Sequence, residues 1–328
     1  MKKLVSLYGA HSELYDIMNE RAKNYAAERG LEYIWAPQTP FTPEGAIAAL
    51  KDADAGIIDV DKYDKNIFEK IQDNVKILIR YGVGFEAVNL PDASASGIAI
   101  ARTTGANAQA VAEMAFAMIM AAKRQLIANR YVVNSGKWGP KNVGGGMKGK
   151  KLGLLGFGMI SRLLAGLFKG WDVEILAYDP FLSAEACEAA GARKVELDEL
   201  FKEADAISIH IPYTPEAHNL VNAEKLNLMK KDAVIVCTAR GNIIDEDALY
   251  QALKDNRILG AGLDVYAQEP LPADSPLIGL DNVILTPHVA AQTEDALWSM
   301  YAKAIDIAAD FLDGKDIGRD LLNPDYKK

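Results

Sequence analysis

The stretch that decides the fold is Lys151-Leu152-Gly153-Leu154-Leu155-Gly156-Phe157-Gly158-Met159-Ile160-Ser161. Its first five residues read as a buried strand. Gly156 and Gly158 then turn the chain into a helix expected over Arg162–Lys169. A second strand, Val173–Tyr178, ends at Asp179, 21 residues beyond Gly158. The order is strand, glycine turn, helix, strand, acid. It fits G-x-G-x-x-G/A with Ser161 in the last place. Gly156 permits a tight turn, and Gly158 lets the backbone approach a pyrophosphate whose charge the helix N-terminus meets. Ser161 is small enough for close helix–strand packing. Asp179 can accept hydrogen bonds from adenosine ribose hydroxyls and would repel a 2′-phosphate. Pro180-Phe181-Leu182 supply no cation. The expected cofactor is NAD, with NADP disfavoured.

Outward from this unit, short β-rich runs alternate with helix-length segments. Strands are expected at Leu4–Tyr8, Ala55–Val60, Lys76–Arg80, Lys151–Gly156, Val173–Tyr178, Ala206–Ile211, Ala233–Thr238, Gly260–Asp264 and Val283–Thr286. Several are apolar without alternation, as in strands buried on both faces. The pattern predicts α/β architecture with parallel sheets. There is also a faint repeat. Lys51–Val60 parallels Lys202–Ile211, and Asp73–Arg80 leads to Tyr81-Gly82-Val83-Gly84 as Lys231–Thr238 leads to Ala239-Arg240-Gly241. Two similar sheets, or unrelated βαβ units that look alike, both give such a pattern. Asn107–Val133 reads as one long helix, apolar on most of its surface at first, which something must cover.

Composition narrows the function. The chain has 328 residues, 50% hydrophobic and 25% charged, with 36 Lys plus Arg against 45 Asp plus Glu, a net charge of −9. That length suggests two domains. The charge argues against a dedicated nucleic-acid binder. Cys187 and Cys237 cannot build a disulfide framework and lack metal-ligand spacing, so no metal is expected and a reducing cytoplasm is. No membrane span is expected. The longest apolar stretch, near Ala110–Ala122, is interrupted by Glu113 and too short. Met1–Tyr8 reads as a first strand rather than a signal peptide.

Polar residues gather after strands, where open parallel sheets bind ligands. They are Arg240, Asp264, Glu269, His288 and His210. Hydride transfer to a 2-oxo acid needs a cation for the carboxylate and oxo group, and a proton donor for the developing alkoxide. Arg suits the first task, and a His stabilised by a neighbouring Glu suits the second. Arg240, His288 and Glu269 supply that set. Taken singly, Arg240 also reads as a surface or capping arginine, Glu269 as a loop acid and His288 as a turn histidine. His210 reads as a wall of the cofactor pocket.

Several long motifs in order complete the picture: Arg80-Tyr81-Gly82-Val83-Gly84, Thr104-Gly105-Ala106-Asn107, Leu155–Ile160, His210-Ile211-Pro212-Tyr213-Thr214-Pro215, Thr238-Ala239-Arg240-Gly241, Leu263–Pro270 and Leu285-Thr286-Pro287-His288. In these the sequence resembles the D-isomer specific 2-hydroxyacid dehydrogenases over nearly its whole length. The resemblance implies two Rossmann-like doubly wound domains. The substrate domain would be discontinuous, 1–101 and 292–328, and the NAD domain would be 102–291, with the active site in the cleft between them. It implies catalysis by Arg240, Glu269 and His288. Tyr81 and the Val83 and Gly84 amides would act on substrate. The NAD site would comprise Gly156, Phe157, Gly158, Met159, Ile160, Asp179, Pro180, His210, Ile211, Pro212, Thr238, Ala239, Arg240, Asp264, His288 and Ala290, with Asp264 at the nicotinamide. It implies a homodimer through the Asn107–Val133 helix and the following loop, with Trp138 reaching the partner's site. Three positions depart from the family pattern. Phe85-Glu86-Ala87-Val88-Asn89 replaces an aspartate-rich run, Ala217 replaces a Thr, and Ser161 replaces Gly or Ala. Small 2-oxo acids such as glyoxylate, hydroxypyruvate or pyruvate are the expected substrates. A 3-phosphoglycerate dehydrogenase is the alternative, although no further domain is expected after Lys328. An NAD-sensing corepressor is the alternative of another class.

Overall fold

The computed structural model describes residues 1–327, and Lys328 lies outside the described residues. The chain divides into two compact units, Met1–Asn107 with Thr293–Lys328, and Ala108–Gln292. The first crossing falls at 107/108 rather than the expected 101/102. The Thr103 N–H donates back to the carbonyls of Arg80 and Gly82 at 3.3 and 3.1 Å, and Ala106 N–H to Thr103, so this segment stays with the first unit.

The first unit holds a parallel sheet of β1 (Lys2–Ser6), β2 (Leu31–Trp35), β3 (Ala55–Ile58), β4 (Ile77–Arg80) and β5 (Ala99–Arg102), in the order β2-β1-β3-β4-β5. Its core includes Leu50, Ile58, Phe68 and Leu78, each fully buried. The C-terminal tail returns to the β5 edge. Leu322 N–H donates to the Ile100 carbonyl at 2.8 Å, and Asn323 Oδ1 accepts the Ile100 N–H at 2.6 Å. This occupies a strand edge otherwise open to pairing. Trp298 and Tyr301, on the helix Glu294–Leu312, serve packing. Arg21 lies 3.7 Å over the Trp298 ring, and Tyr301 is fully buried.

The second unit holds seven parallel strands: β6 (Lys151–Leu155), β7 (Glu174–Tyr178), β8 (Arg193–Lys194), β9 (Ala206–Ile209), β10 (Val234–Cys237), β11 (Gly260–Leu263) and β12 (Val283–Leu285). Their order is β12-β11-β10-β9-β6-β7-β8. The run β7-β6-β9-β10-β11 therefore repeats the topology of the first sheet. The repeat extends to hydrogen bonds. Asp54 Oδ2 accepts the Lys3 N–H at 2.7 Å, and Asp205 Oδ2 accepts the Lys151 N–H at 2.9 Å. Each aspartate's own N–H returns to the same residue's carbonyl, at 3.0 and 2.8 Å. The faint sequence repeat marks two copies of one sheet start.

The helix expected over Asn107–Val133 is two helices, Ala108–Lys123 and Leu126–Asn134. Gln125 sits in the left-handed region, at φ 49°. The Lys123 carbonyl, which would continue the helix ladder, instead accepts the Gly145 N–H at 2.7 Å. The Lys123 side chain turns inward, fully buried, and donates to the Asp232 carbonyl at 2.8 Å. Desolvation by burial lowers its pKa. The helix expected from Arg162 begins earlier and spans Met159–Leu167.

Candidate active site

The glycine turn takes the shape its sequence predicts. Gly156 has φ +87°, and a methyl group there would lie 2.8 Å from Ile211 Cγ2 and 3.1 Å from the His210 carbonyl oxygen. Only glycine suits both the torsion and the approach. The Ser161 hydroxyl donates to the Gly156 carbonyl at 2.6 Å, so the departure from Gly or Ala adds a bond across the turn. Gly158 caps the helix Met159–Leu167, and space beside it is open. The first-turn N–H groups of that helix have no intrahelical acceptor. Asp179 holds the turn from the next strand. Its Oδ2 accepts the Phe157 N–H at 3.0 Å and its Oδ1 accepts the Phe181 N–H at 2.9 Å. Each oxygen keeps acceptor capacity for a ribose hydroxyl.

Two polar atoms of this region, Thr238 Oγ1 and His210 Nδ1, are buried without partners among the described residues. The other His210 nitrogen lies 2.8 Å from Ser208 Oγ. Burial pushes His210 down to about 3, so the ring is neutral near pH 7. A dinucleotide fits this set. The helix start and open Gly158 suit its pyrophosphate, Asp179 its ribose, and the partnerless Thr238 and His210 atoms its polar groups.

The residues expected to transfer the proton lie in the same unit, after β11 and β12. His288 Nδ1 is 2.7 Å from Glu269 Oε2. Glu269 Oε1 accepts the Tyr266 N–H at 3.1 Å, which fixes the carboxylate plane. Both side chains stay accessible, at 50% for His288 and 38% for Glu269. His288 has φ 54°, a left-handed conformation uncommon outside glycine. Asp264 explains why it persists. This carboxylate is fully buried and takes the Thr286 hydroxyl at 2.5 Å and the N–H groups of Val289 and Ala290 at 2.8 Å each. The three bonds clamp the loop on either side of His288. Asp264 was expected at the nicotinamide, and the structure shows it holding the histidine loop. Ala290 enters through its N–H. The Tyr266 hydroxyl adds a bond to the Thr286 carbonyl at 2.9 Å. Neither Thr286 nor Tyr266 was singled out from sequence, although both lie inside quoted motifs.

Arg240 follows β10. Its Nη1 donates to the Ala239 carbonyl at 2.6 Å, and the Cys237 thiol donates to the Arg240 carbonyl at 3.5 Å. A side chain at Gly241 would overlap the Tyr266 carbonyl, so the Arg240 turn packs directly on the turn that carries Glu269. Tyr266, Leu271, Ile278, Leu285, Glu269 and His288 line a largely apolar recess beside the histidine–glutamate pair.

In the first unit, the expected substrate loop Tyr81-Gly82-Val83-Gly84 follows β4. Tyr81 was expected to touch substrate, but its side chain is core. It is 3% exposed, its hydroxyl donates to the Leu297 carbonyl at 2.7 Å, and its ring stacks on Tyr8 at 3.7 Å. The N–H groups of Val83 and Gly84 have no acceptor among the described residues.

A family model described as "D-isomer specific 2-hydroxyacid dehydrogenase, NAD binding domain" matches residues 116–290. A glyoxylate reductase of Korarchaeum cryptofilum is 36% identical over 283 residues, 82% of this chain and 85% of that protein. A D-3-phosphoglycerate dehydrogenase of Methanocaldococcus jannaschii is 38% identical over 261 residues, 79% of this chain but 49% of its own length. The solved structure of D-2-hydroxyisocaproate dehydrogenase superposes with a TM-score of 0.86 at 26% identity, covering 98% of this chain and 99% of that one. The glycine turn, the buried Thr238 and His210 atoms and the histidine–glutamate pair thus occur in a chain that belongs to the D-isomer specific 2-hydroxyacid dehydrogenases, with an NAD-binding domain in its second unit.

Proposed function

We propose that the protein reduces a small, unphosphorylated 2-oxo acid, such as glyoxylate, hydroxypyruvate or pyruvate, to the D-2-hydroxy acid, with Arg240, Glu269 and His288 as its catalytic residues. The observation that carries this reading is the 2.7 Å His288–Glu269 contact on a loop clamped by Asp264. When bound, NADH supplies the hydride. Imidazolium His288 donates its Nε2 proton to the oxygen of the former oxo group, and Glu269 holds the ring and stabilises its positive charge. Arg240 pairs with the substrate carboxylate and polarises the oxo group. The free Val83 and Gly84 N–H groups hold the carboxylate. Gly156–Ile160, Asp179, Pro180, His210–Pro212, Thr238 and Ala239 hold the cofactor, and Asp179 selects against a 2′-phosphate.

The assembly we infer is a homodimer through the helix Leu126–Asn134 and the loop after it. Leu126, Tyr131, Val133, Trp138 and Val143 are all exposed there, Trp138 at 84%. That number of large exposed apolar side chains on one helix and its loop supports an interaction surface. A cytoplasmic location is supported by two buried free thiols, Cys187 and Cys237.

The test is NADH oxidation over a panel of 2-oxo acids that includes 3-phosphohydroxypyruvate, repeated with NADPH. Rapid turnover of a small unphosphorylated acid with NADH is expected. A preference for the phosphorylated acid would move the assignment to the phosphoglycerate enzyme, and no turnover at all would defeat the reading.

A further inference from the structure

The structure assigns Arg102, at the end of β5, as the positioning residue that aims the carboxylate-binding amides of the 82–84 loop. This rests on the reading that Val83 and Gly84 N–H groups hold the substrate carboxylate. Register places Arg102 directly beside Arg80, the residue that opens this loop. Arg102 Nη1 donates to the Val83 carbonyl at 3.3 Å. The next residue, Thr103, holds the preceding peptide. Its N–H donates to the Gly82 carbonyl at 3.1 Å, and its hydroxyl accepts the Gly82 N–H at 2.8 Å. In a planar trans peptide the C=O and the following N–H point in opposite directions. Holding the Gly82 carbonyl therefore turns the Val83 N–H away from β5. Holding the Val83 carbonyl does the same for the Gly84 N–H. These are the two N–H groups that have no acceptor among the described residues.

The charge on Arg102 adds to the effect. Its guanidinium lies 5.4 Å over the Phe85 ring, its Nε is buried without a partner, and no carboxylate pairs with it among the described residues. A cation left unneutralised beside two oriented N–H groups favours an anion on the loop. Phe85, which departs from the family's aspartate-rich run, is the platform that holds this cation.

The experiment is steady-state kinetics of Arg102→Met and Arg102→Lys on the preferred 2-oxo acid, with oxamate as an unreactive carboxylate probe. Arg102→Met is expected to raise the 2-oxo acid KM and the oxamate Ki together by about tenfold or more. Its kcat should change less than about threefold, and its NADH Kd should not change. Arg102→Lys, which keeps a donor and the charge, is expected to recover most of the affinity. A merely structural role would move kcat, NADH binding and thermal stability together. If Arg102→Met misfolds, Arg102→Leu likewise removes the donor and the charge, and the same comparison is made on it. Unchanged KM and Ki in a folded Met or Leu variant overturn the assignment, and so does a Lys variant no better than Met. Arg240→Ala separates the two layers. If Arg240→Ala raises KM while the Arg102 variants do not, the substrate reading stands and the positioning role falls. If the wild-type chain turns over no 2-oxo acid, both fall.

Discussion

His288 and Glu269 meet at 2.7 Å, and the same histidine sits at a left-handed φ of 54°. A strained backbone and a short side-chain contact at one residue indicate that the surroundings dictate its position. Replacing His288 with Ala is expected to leave NADH affinity nearly unchanged, because the turn and Asp179 lie elsewhere in the unit. The turnover number should fall about 10²–10⁴-fold, the usual yield of a positioned acid–base group. Near-normal turnover in His288→Ala would remove the histidine from the chemistry. Glu269→Gln keeps an acceptor for the ring but drops the charge, so its loss should be smaller and mostly in kcat.

Asp264 makes a separable prediction. Its carboxylate satisfies a hydroxyl and two backbone N–H groups in a fully buried position. Asp264→Asn presents an NH₂ where one of these donors must bond, so a donor faces a donor. We expect a loss of about 2–4 kcal/mol of stability by chemical denaturation. Activity should fall even where the variant is fully folded, because His288 is no longer held. A variant as stable and as active as wild type would show that the clamp is incidental.

Asp179 tests cofactor choice. It bonds both the Phe157 and Phe181 N–H groups, so its orientation is fixed before any ribose arrives. Asp179→Ser should lower kcat/KM with NADH and raise it with NADPH, through loss of ribose acceptors and of repulsion toward a 2′-phosphate. The two effects are read independently in NADH and NADPH titrations. An unchanged ratio of the two cofactors would mean that another residue selects between them.

How far these features were legible in sequence depends on how local they are. The β6 turn, the acid after β7 and the strands around them follow from short-range spacing, and all are present. β2 escaped because exposed Ile34 breaks the alternation of an edge strand. β5 is alanine-rich and gains its edge bonds from Asn323, more than 200 residues away. β8 is two charged residues paired only to Leu176 and Ala177. Arg240, Glu269 and His288 could be nominated from their places after strands. The grip of Asp264 on residues 286–290 could not, because it needs the register of β11 on β12. The helix break at Gln125 was equally hidden, since its cause is the Gly145 N–H.

Asp205 carries a prediction about pH. Its side chain is 5% exposed and lies 3.0 Å from Lys230 Nζ and 3.7 Å from Lys150 Nζ, besides the Lys151 N–H. Burial alone would raise its pKa, but the Lys151 N–H and the two lysines outweigh it and hold the carboxyl below its ordinary 3.8. The unfolded chain therefore takes up a proton first as the solution is acidified. The stability from this carboxylate is complete above 3.8 and is lost as pH falls through that value toward the folded one. Asp205→Asn should cost about 1–3 kcal/mol at pH 7, the loss of charge-assisted bonds at the start of β9. Below the folded pKa the wild-type group is itself neutral, so the difference between wild type and variant should shrink there. Urea unfolding of both proteins at pH 7 and at stepwise lower pH measures this. A gap that stays constant as the pH falls would show that the carboxylate's charge does not support the sheet.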